Sequence, residues 1–265
     1  MEPKRITIKE CFKPLPYAEL MAMKFKDTEW VVDQLVPSGC TTVISGAPAA
    51  YKTWLVLDLA LKVAVGGILF DKFDTSQAGV LIIDEESGKR LLQKRLRKMS
   101  KRAELPIYFI SLEGFKLKMK MVEQIISFAK EKSIKVIIFD SLVRIHNSDE
   151  NDATKMAAVF NLLKLFNVAG LTVISTHHNR KRGTYRSNPS QDMRGSSDIL
   201  ASVDCHIAIE RKSRDNYLIL TQTKLRQKEE IKPFKLSVIS DENELRFEFA
   251  GEVDEIKSKK LDIKT

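Results

Sequence analysis

Short apolar runs alternate with segments of helical periodicity along most of this chain of 265 residues. Residues 80–83 (VLII) and 136–139 (VIIF) are wholly apolar, whereas Leu55, Leu59 and Val63 recur at helical spacing. Continuous apolar strands that alternate with helices are typical of a parallel sheet with both faces covered. The pattern predicts an α/β fold built around a mostly parallel sheet flanked by helices.

The predicted elements divide into a long alternating part and a different C-terminal part. Residues 215–250 predict a hairpin, and hence antiparallel strands at the C-terminal edge of the sheet. We expect an irregular N-terminal arm (1–28) packed on one large domain (29–250), followed by a charged tail (251–265). The predicted strands are 41–45, 80–83, 107–110, 136–139, 171–175 and 205–210, and the predicted helices are 52–66, 88–102, 121–132 and 152–168.

The composition shows an excess of basic over acidic residues, and the cysteines indicate a reducing environment. Lys and Arg number 44 and Asp and Glu 35, which gives a net charge of +9. Such an excess fits either a polyanionic partner or ordinary solubility. The three cysteines lie far apart without a CxxC pair, which argues against a zinc site or a disulfide framework. Without an apolar signal region or a long apolar run, we expect a cytoplasmic protein with no membrane span.

A phosphate-binding loop is predicted where the first strand meets the first long helix. The segment GAPAAYKT has the spacing of the P-loop, GxxxxGK[ST], in the strand–helix context that this motif requires. In such a loop, backbone N–H groups surround the β-phosphate, Lys52 reaches the β- and γ-phosphates, and the Thr53 hydroxyl holds Mg²⁺. The residues predicted to bind nucleotide are Gly46, Ala47, Pro48, Ala49, Ala50, Tyr51, Lys52, Thr53 and Trp54.

Tyr51 departs from this motif because it stands where the pattern has its second glycine. A side chain at this position strains the loop if the backbone needs a positive φ, at a cost of roughly 1 kcal/mol or more. The ring can equally lie over a bound nucleotide. Both alternatives stay open at the level of the sequence.

Hydrolysis also needs a carboxylate that orients the metal and a group that positions water. Asp140 ends the apolar run VIIF in the form of a Walker B strand, so we expect it beside the phosphate loop and Mg²⁺. Asp is also a common helix cap, which is the alternative role for this residue. The run VLII ends in Asp84, Glu85 and Glu86, and alternation along a strand does not decide between the two glutamates.

In their order and spacing, several blocks of the chain resemble the RepA-like AAA_25 group of RecA-like P-loop ATPases, relatives of the plasmid RepA hexameric helicases. The resemblance runs from about residue 30 to about residue 233 and implies a RecA-like ATPase core that uses ATP and Mg²⁺. It also implies that full activity requires a homo-oligomeric ring or filament, with a hexamer as the expected ring. The blocks are WVVDQLVPSGCTTVISGAP, VLIIDEESGKRLLQKRL, VIIFDSLVRIHNSDENDA, VISTHHNRK, DMRGSSDILASVD and TKLRQK.

The resemblance implies roles for the polar residues at the strand ends. It implies that Glu86 is the catalytic glutamate, acting with Lys52 and Asp140. His177 and His178 match the paired histidines at the end of the central strand. In such proteins a residue at this position senses the γ-phosphate and couples it to the nucleic-acid loops. For either histidine alone, a structural role with its hydrogen bonds satisfied is the alternative.

Lys224 and Arg226, in the block KLR, resemble the KxR pair that RecA-like hexamers insert into the site of the neighbouring subunit. An ammonium and a guanidinium aimed at a γ-phosphate stabilise the charge that develops in the transition state. Alternation along a strand places both on one face, which suits joint delivery. A solvated strand face is the alternative interpretation.

Three charged segments remain. Residues 180–194 carry five basic side chains, one acid and a tyrosine, which fits single-strand binding by phosphate neutralisation and base stacking or, alternatively, a mobile surface loop. The helix over 89–102 has eight basic residues and no acid. The alternatives for it are DNA binding, pairing with an acidic neighbour, and a solvated surface. The acidic loop 146–152 matches the family pattern without an evident physical role. The residues predicted to contact single-stranded DNA or RNA are Arg180, Lys181, Arg182, Tyr185, Arg186 and Arg194.

The function expected from these features is an ATP-driven motor on single-stranded nucleic acid, of the RepA-like replicative helicase type. One alternative is an ATP-switched assembly without helicase activity, such as a regulator or a recombinase-like filament on DNA. The other, motivated by Tyr51, is a degenerate P-loop that binds nucleotide without turnover.

Overall fold

A computed structural model describes residues 13–24, 27–179, 197–211 and 216–253 of the chain. The helices are α1 (Tyr17–Ala22), α2 (Lys52–Val65), α3 (Lys89–Met99), α4 (Met119–Glu131), α5 (Ala153–Val168) and α6 (Ser197–Ser202), with a short 3-10 helix at Leu142–Arg144. The strands are β1 (Trp30–Val32), β2 (Val36–Pro37), β3 (Thr41–Gly46), β4 (Ile68–Leu69), β5 (Phe73–Asp74), β6 (Gly79–Asp84), β7 (Ile107–Ser111), β8 (Ile134–Asp140), β9 (Thr172–His178), β10 (Cys205–Arg211), β11 (Tyr217–Leu225), β12 (Phe234–Ser240) and β13 (Leu245–Glu252).

Nine strands of the described residues form one sheet in the order β13-β12-β11-β10-β3-β9-β8-β6-β7. Strands β10, β3, β9, β8, β6 and β7 run parallel, whereas β11, β12 and β13 extend the sheet antiparallel from β10. This arrangement confirms the predicted fold class. It brings the carboxyl ends of β3, β9, β8 and β6 to one side of the sheet, the carboxyl edge, where open α/β sheets bind ligands.

Helices cover both faces of this sheet and bury two hydrophobic clusters. On one face, α2 contributes Val56 and Ala60 to a cluster that also includes Ile82 of β6 and side chains of the C-terminal strands. On the other face, α4 and α5 contribute Ile125 and Leu163 to a second cluster. Because both faces are covered, β6 and β8 carry long apolar runs, as the sequence pattern indicated, whereas β3 and β9 also bury threonine and serine side chains.

The structure adds β1, β2, β4, β5 and α6, which were not predicted, ends α3 at Met99, and departs further from the predicted elements as follows. The region predicted to be a hairpin, 215–250, holds three strands, β11, β12 and β13. The turn DEN joins the last two of them. Strand β9 extends to His178, three residues beyond its predicted end, since it stays paired with β3 as far as Gly46. In the arm predicted to be irregular and packed, α1 is helical and buries none of its residues. None of the helices in the described ranges is long and apolar enough to cross a membrane.

Candidate active site

The phosphate loop joins β3 to α2 at the carboxyl edge. A Cβ added to Gly46 would lie 3.0 Å from the carbonyl oxygen of Ile209, so the loop passes too close to β10 for a larger residue without a backbone shift. Lys52 opens α2 and is 7% exposed, and this burial lowers the pKa of its ammonium. Its Nζ donates to the carbonyl oxygens of Gly46 and Ala47, both at 2.9 Å. The ammonium lies across the loop, at the place where a nucleotide phosphate would meet it.

Tyr51 adopts a φ of 63°, in the left-handed region, at the position of the second P-loop glycine. The turn therefore does need a positive φ, which costs a residue with a Cβ about 1–2 kcal/mol. The ring turns toward the C-terminal strands, with its centroid 6.1 Å from Phe247 of β13 in an edge-to-face arrangement and 4.8 Å from the Arg211 guanidinium. Each contact contributes roughly 0.5–1.5 kcal/mol and offsets the strain.

Asp140 ends β8 beside the loop and accepts hydrogen bonds from two threonine hydroxyls. Thr53 Oγ1 donates to Oδ2 at 2.6 Å, and the hydroxyl of Thr176 in β9 donates to Oδ1. Burial raises the pKa of the Asp140 carboxyl, and the two hydrogen bonds oppose this shift. The alternative role as a helix cap is wrong, because the 3-10 helix that follows β8 has Ser141 at its N-cap.

The acids that end β6 have different partners. Asp84 is buried and accepts hydrogen bonds from the backbone N–H groups of Ser87 and Gly88, both at 3.0 Å, which fixes the turn after the strand. Glu85 accepts two backbone N–H groups from the loop after β7, both at 3.1 Å. Glu86 is the acid of this turn that lines the same cavity as the phosphate loop.

Glu86 faces Lys52 and Asp140 across this cavity. Its Oε2 accepts a hydrogen bond from the Ser141 hydroxyl at 3.1 Å and lies 3.9 Å from Nε2 of His178. The interaction with His178 contributes most to lowering the pKa of the Glu86 carboxyl to about 2, and the Ser141 hydroxyl adds to it. The carboxylate is therefore ionised throughout the neutral range and can accept a hydrogen bond from water. Its place in the cavity thus favours Glu86 over Glu85 as the catalytic glutamate.

The paired histidines face opposite sides of β9, because successive side chains alternate along a strand. His178 lies in the cavity, with Nδ1 3.3 Å from Nζ of Lys52. His177 is 1% exposed and lies on the other face, with Nδ1 3.6 Å from Oε1 of Glu150. The structure brings His178, and not His177, to the site. The acidic loop 146–152, whose role the sequence left unexplained, supplies the buried carboxylate beside His177.

Two arginines that the sequence did not single out also line the cavity. Arg95 reaches in from α3, donates from Nη1 to Oγ of Ser87 at 2.9 Å and lies 5.4 Å from the Trp54 ring. Arg211 ends β10 and donates from Nη1 to the carbonyl oxygen of Ala49 at 3.1 Å. In the sequence, Arg95 is one of eight basic residues of the predicted helix over 89–102. Arg211 reaches the loop only through the pairing of β10 with β3, which no local pattern reveals.

Lys224 and Arg226 lie toward the opposite end of the sheet. Leu225, between them, pairs with Cys205, the first residue of β10. The phosphate loop lies at the other end of this strand, where Ile209 pairs with Gly46. Nζ of Lys224 donates to two carbonyl oxygens at the end of α6, at 2.7 and 3.0 Å, and Nη2 of Arg226 donates to that of Ala201 at 2.9 Å. Nη1 of Arg226 lies 3.3 Å from Asp204. Neither cation lines the cavity of its own chain, so their role in a neighbouring subunit stays a prediction.

The predicted nucleic-acid segment, residues 180–194, lies outside the described residues. It begins two residues after His178, the histidine that lines the cavity. Any contact of this segment with nucleic acid stays a prediction.

The groups that line the cavity fit a magnesium-bound nucleotide. Thr53 and Asp140 place a hydroxyl and a carboxylate oxygen 2.6 Å apart, and hard oxygen ligands are those that Mg²⁺ prefers. Within the described residues, the first turn of α2 carries no acidic side chain and its N-cap makes no side-chain hydrogen bond. The positive end of this helix is therefore open to an anion, next to Lys52. The cavity, of about 370 Å³, is lined by Ala49, Ala50, Tyr51, Lys52, Thr53, Trp54, Glu86, Arg95, Asp140, His178 and Arg211.

A phosphate loop, a Walker B aspartate and a glutamate around one cavity define a P-loop ATPase. The sequence model of the AAA domain family, AAA_25, matches residues 8–184, more than half of the chain, and the chain belongs to this family. The resemblance is confirmed, although the match begins further upstream than predicted and ends before α6 and the C-terminal strands. No curated protein matches the chain.

Proposed function

We propose that this protein is an ATP-driven motor on single-stranded nucleic acid, of the RepA-like replicative helicase type, working in the cytoplasm as a homo-oligomeric ring, a hexamer, or as a filament. The observation that carries the proposal is the convergence of Lys52, Thr53, Glu86, Asp140 and His178 on one cavity. A P-loop alone would serve nucleotide binding. The ionised Glu86, held by a neighbouring hydroxyl, adds the group that hydrolysis requires.

The chain's own residues divide the work of hydrolysis. The phosphate loop and Lys52 bind the phosphates of ATP, and Thr53 and Asp140 would hold Mg²⁺, which when bound neutralises phosphate charge. Glu86 orients the attacking water and accepts its proton, since its carboxylate is ionised and fixed by Ser141. His178 lies beside both Glu86 and Lys52, which suits a residue that senses the γ-phosphate.

A second copy of the chain would complete the site. Lys224 and Arg226 project from the end of the sheet opposite the cavity, so a head-to-tail contact would bring them to a neighbour's nucleotide. Repeated head-to-tail contacts close into a ring or extend into a filament. Differential affinity of the ATP and ADP states then drives movement of segment 180–194, since only such a difference shifts a conformational equilibrium.

Tyr51 supports a second candidate, a P-loop that binds nucleotide without turnover. It places a tyrosine, in the left-handed conformation that the turn needs, where the motif has a glycine. The presence of Glu86 and Asp140 in the same cavity supports turnover over this candidate. The ATP-switched assembly without helicase activity would use the same site and differ in its response to nucleic acid.

The deciding experiment is ATP hydrolysis by the full chain with and without single-stranded DNA or RNA, alongside strand separation and a mass measurement in ATP. We expect turnover, stimulation by single strands, and a particle of several copies. Turnover that ignores nucleic acid would support the ATP-switched assembly, and binding without phosphate release would support the degenerate P-loop. In the control, Lys52→Ala should lower turnover by about 1000-fold or more because the ammonium is lost; an active Lys52→Ala protein would overturn the whole assignment.

A further inference from the structure

We propose that Tyr51 is a positioning residue that clamps the phosphate loop to the C-terminal strands, so that nucleotide affinity depends on its contact with Phe247. The inference rests on the nucleotide site proposed above but does not depend on motor activity. It assigns a role to the one residue by which this loop departs from the P-loop motif.

The backbone of Tyr51 sets the direction of the start of α2. Its carbonyl oxygen accepts the N–H of Leu55 at 2.9 Å, within the first turn of the helix. The φ of 63° at Tyr51 follows a φ of 60° at Ala49, so the loop holds two left-handed residues that both carry a Cβ. A glycine would adopt either sign of φ with similar ease, whereas a tyrosine needs an external contact to hold this conformation.

Phe247 provides the first contact and belongs to the rigid core. It lies in β13, is 3% exposed, and packs edge-to-face against Phe70 as well as against Tyr51, each with a centroid distance of 6.1 Å. Tyr51 is partly buried against the same hydrophobic cluster. The phosphate loop is thereby attached to the antiparallel end of the sheet, which is distant from it in sequence.

Arg211 provides the second contact and joins the two left-handed residues. Its guanidinium lies 4.8 Å from the centroid of the Tyr51 ring, and its Nη1 donates to the carbonyl oxygen of Ala49 at 3.1 Å. One side chain thus holds both residues whose backbone is unfavourable. A loop held in this way is set for phosphate before nucleotide arrives, and such preorganisation raises affinity by lowering the cost of ordering.

The test is a double-mutant cycle on the dissociation constant for ADP with Mg²⁺, measured with the full chain. We expect Tyr51→Gly to raise the dissociation constant about tenfold and Phe247→Leu to raise it about threefold, because each releases the loop. Tyr51→Phe keeps the ring and should stay within about twofold of wild type. The double variant, Tyr51→Gly with Phe247→Leu, should bind no more weakly than Tyr51→Gly alone, since the contact is already lost.

Phe249→Leu is the matched control because Phe249 lies in the same strand and packs against Phe73 and Phe234. It should lower the midpoint of thermal unfolding as Phe247→Leu does, while leaving the dissociation constant unchanged. If Tyr51→Gly fails to fold, the comparison of Phe247→Leu with Phe249→Leu decides alone.

Three results would overturn the inference: Tyr51→Gly binding as tightly as wild type, effects that multiply in the double variant, or equal effects of the two phenylalanine variants. A wild-type chain that binds ADP but does not hydrolyse ATP would overturn the motor while leaving this cycle intact. A wild-type chain that binds no nucleotide would overturn both.

Discussion

Candidate functional residues lie at both ends of the sheet, but their surroundings differ. At the carboxyl edge, Lys52, Glu86 and Asp140 line one cavity. Lys52 donates hydrogen bonds to the phosphate loop, and the two carboxylates accept hydrogen bonds from neighbouring hydroxyls. At the other end, Lys224 and Arg226 donate to backbone carbonyl oxygens at the end of α6 and line no part of that cavity. One end is therefore arranged to bind nucleotide, whereas the cations at the other end contact carbonyl oxygens of α6 and, through Arg226, the carboxylate of Asp204.

This difference separates binding from hydrolysis. If both ends serve one reaction, a single copy should bind nucleotide and a contact between copies should be needed for rapid turnover. Variants at the two ends of the sheet test this separation.

Arg226→Ala is expected to lower turnover by at least about 100-fold while leaving the affinity for ADP within about twofold, because a guanidinium supplied by a neighbour acts mainly in the transition state. Steady-state hydrolysis and equilibrium binding are the measurements. Arg246→Ala is the matched control, since Arg246 is an exposed arginine of β13 paired with Glu244 and Glu248. It should change neither quantity.

Mixing Arg226→Ala with Glu86→Gln gives the sharper version of this test. An interface between the two variants can combine an intact Glu86 from one copy with an intact Arg226 from the other. We expect the mixture to recover part of the turnover that each variant lacks alone. No recovery at any ratio would argue that the two ends of the sheet do not share a site.

His178→Asn is expected to lower turnover about tenfold and to move its acid limb to higher pH. The direction follows from Glu86, whose carboxyl pKa of about 2 is held down chiefly by His178. Without His178 this pKa rises, so protonation removes the base at a higher pH. In the wild type, the stability contributed by the ionised Glu86 is present above its unfolded pKa, 4.5, and is lost as the pH falls toward 2.

His177→Asn is the matched variant on the opposite face of β9. It should lower the free energy of unfolding, because His177 is buried beside Glu150, and leave the acid limb of turnover in place. Equal shifts of the pH profile in both histidine variants would contradict the assignment of His178 alone to the cavity.

Asp58→Asn should leave turnover unchanged and alter stability in a pH-dependent way. Burial raises the pKa of the Asp58 carboxyl from 3.8 to about 6, so the unfolded chain releases this proton at a lower pH than the native chain. Stability is lost as the pH rises from about 4 to about 6, and the penalty persists above. We expect Asp58→Asn to add about 1–3 kcal/mol to the free energy of unfolding at pH 8 and little at pH 4, measured by urea denaturation. An equal gain at both pH values would be inconsistent with a buried carboxylate.

The parts of the site that could be predicted are those encoded by contiguous residues. The phosphate loop and Asp140 each follow an apolar strand, so motif and context appear together in the sequence. Alternation along the strand could not decide between Glu85 and Glu86, which only the resemblance settled in favour of Glu86, because hydrogen bonds of the buried Asp84 set the turn that aims them. Arg95 and Arg211 could not be found, since their places in the cavity depend on the packing of α3 and on the order of strands.

The same limit applies at the far end of the sheet. The sequence placed Lys224 and Arg226 on one strand face but contained no information on which end of the sheet they occupy. That required the antiparallel register of β11 against β10. The fold class, in contrast, followed from patterns repeated over many segments, which is why it was recovered from the sequence.

Asp84 has a consequence for how such a chain tolerates change over time. It does not line the cavity, yet its carboxylate accepts hydrogen bonds from the amide groups of the turn from which Glu86 projects. The direction of Glu86 thus depends on a buried neighbour, so a change at Asp84 would reorient it. If Glu86 is the catalytic base, a descendant changed at Asp84 could keep every residue that lines the cavity and still lose ATP hydrolysis.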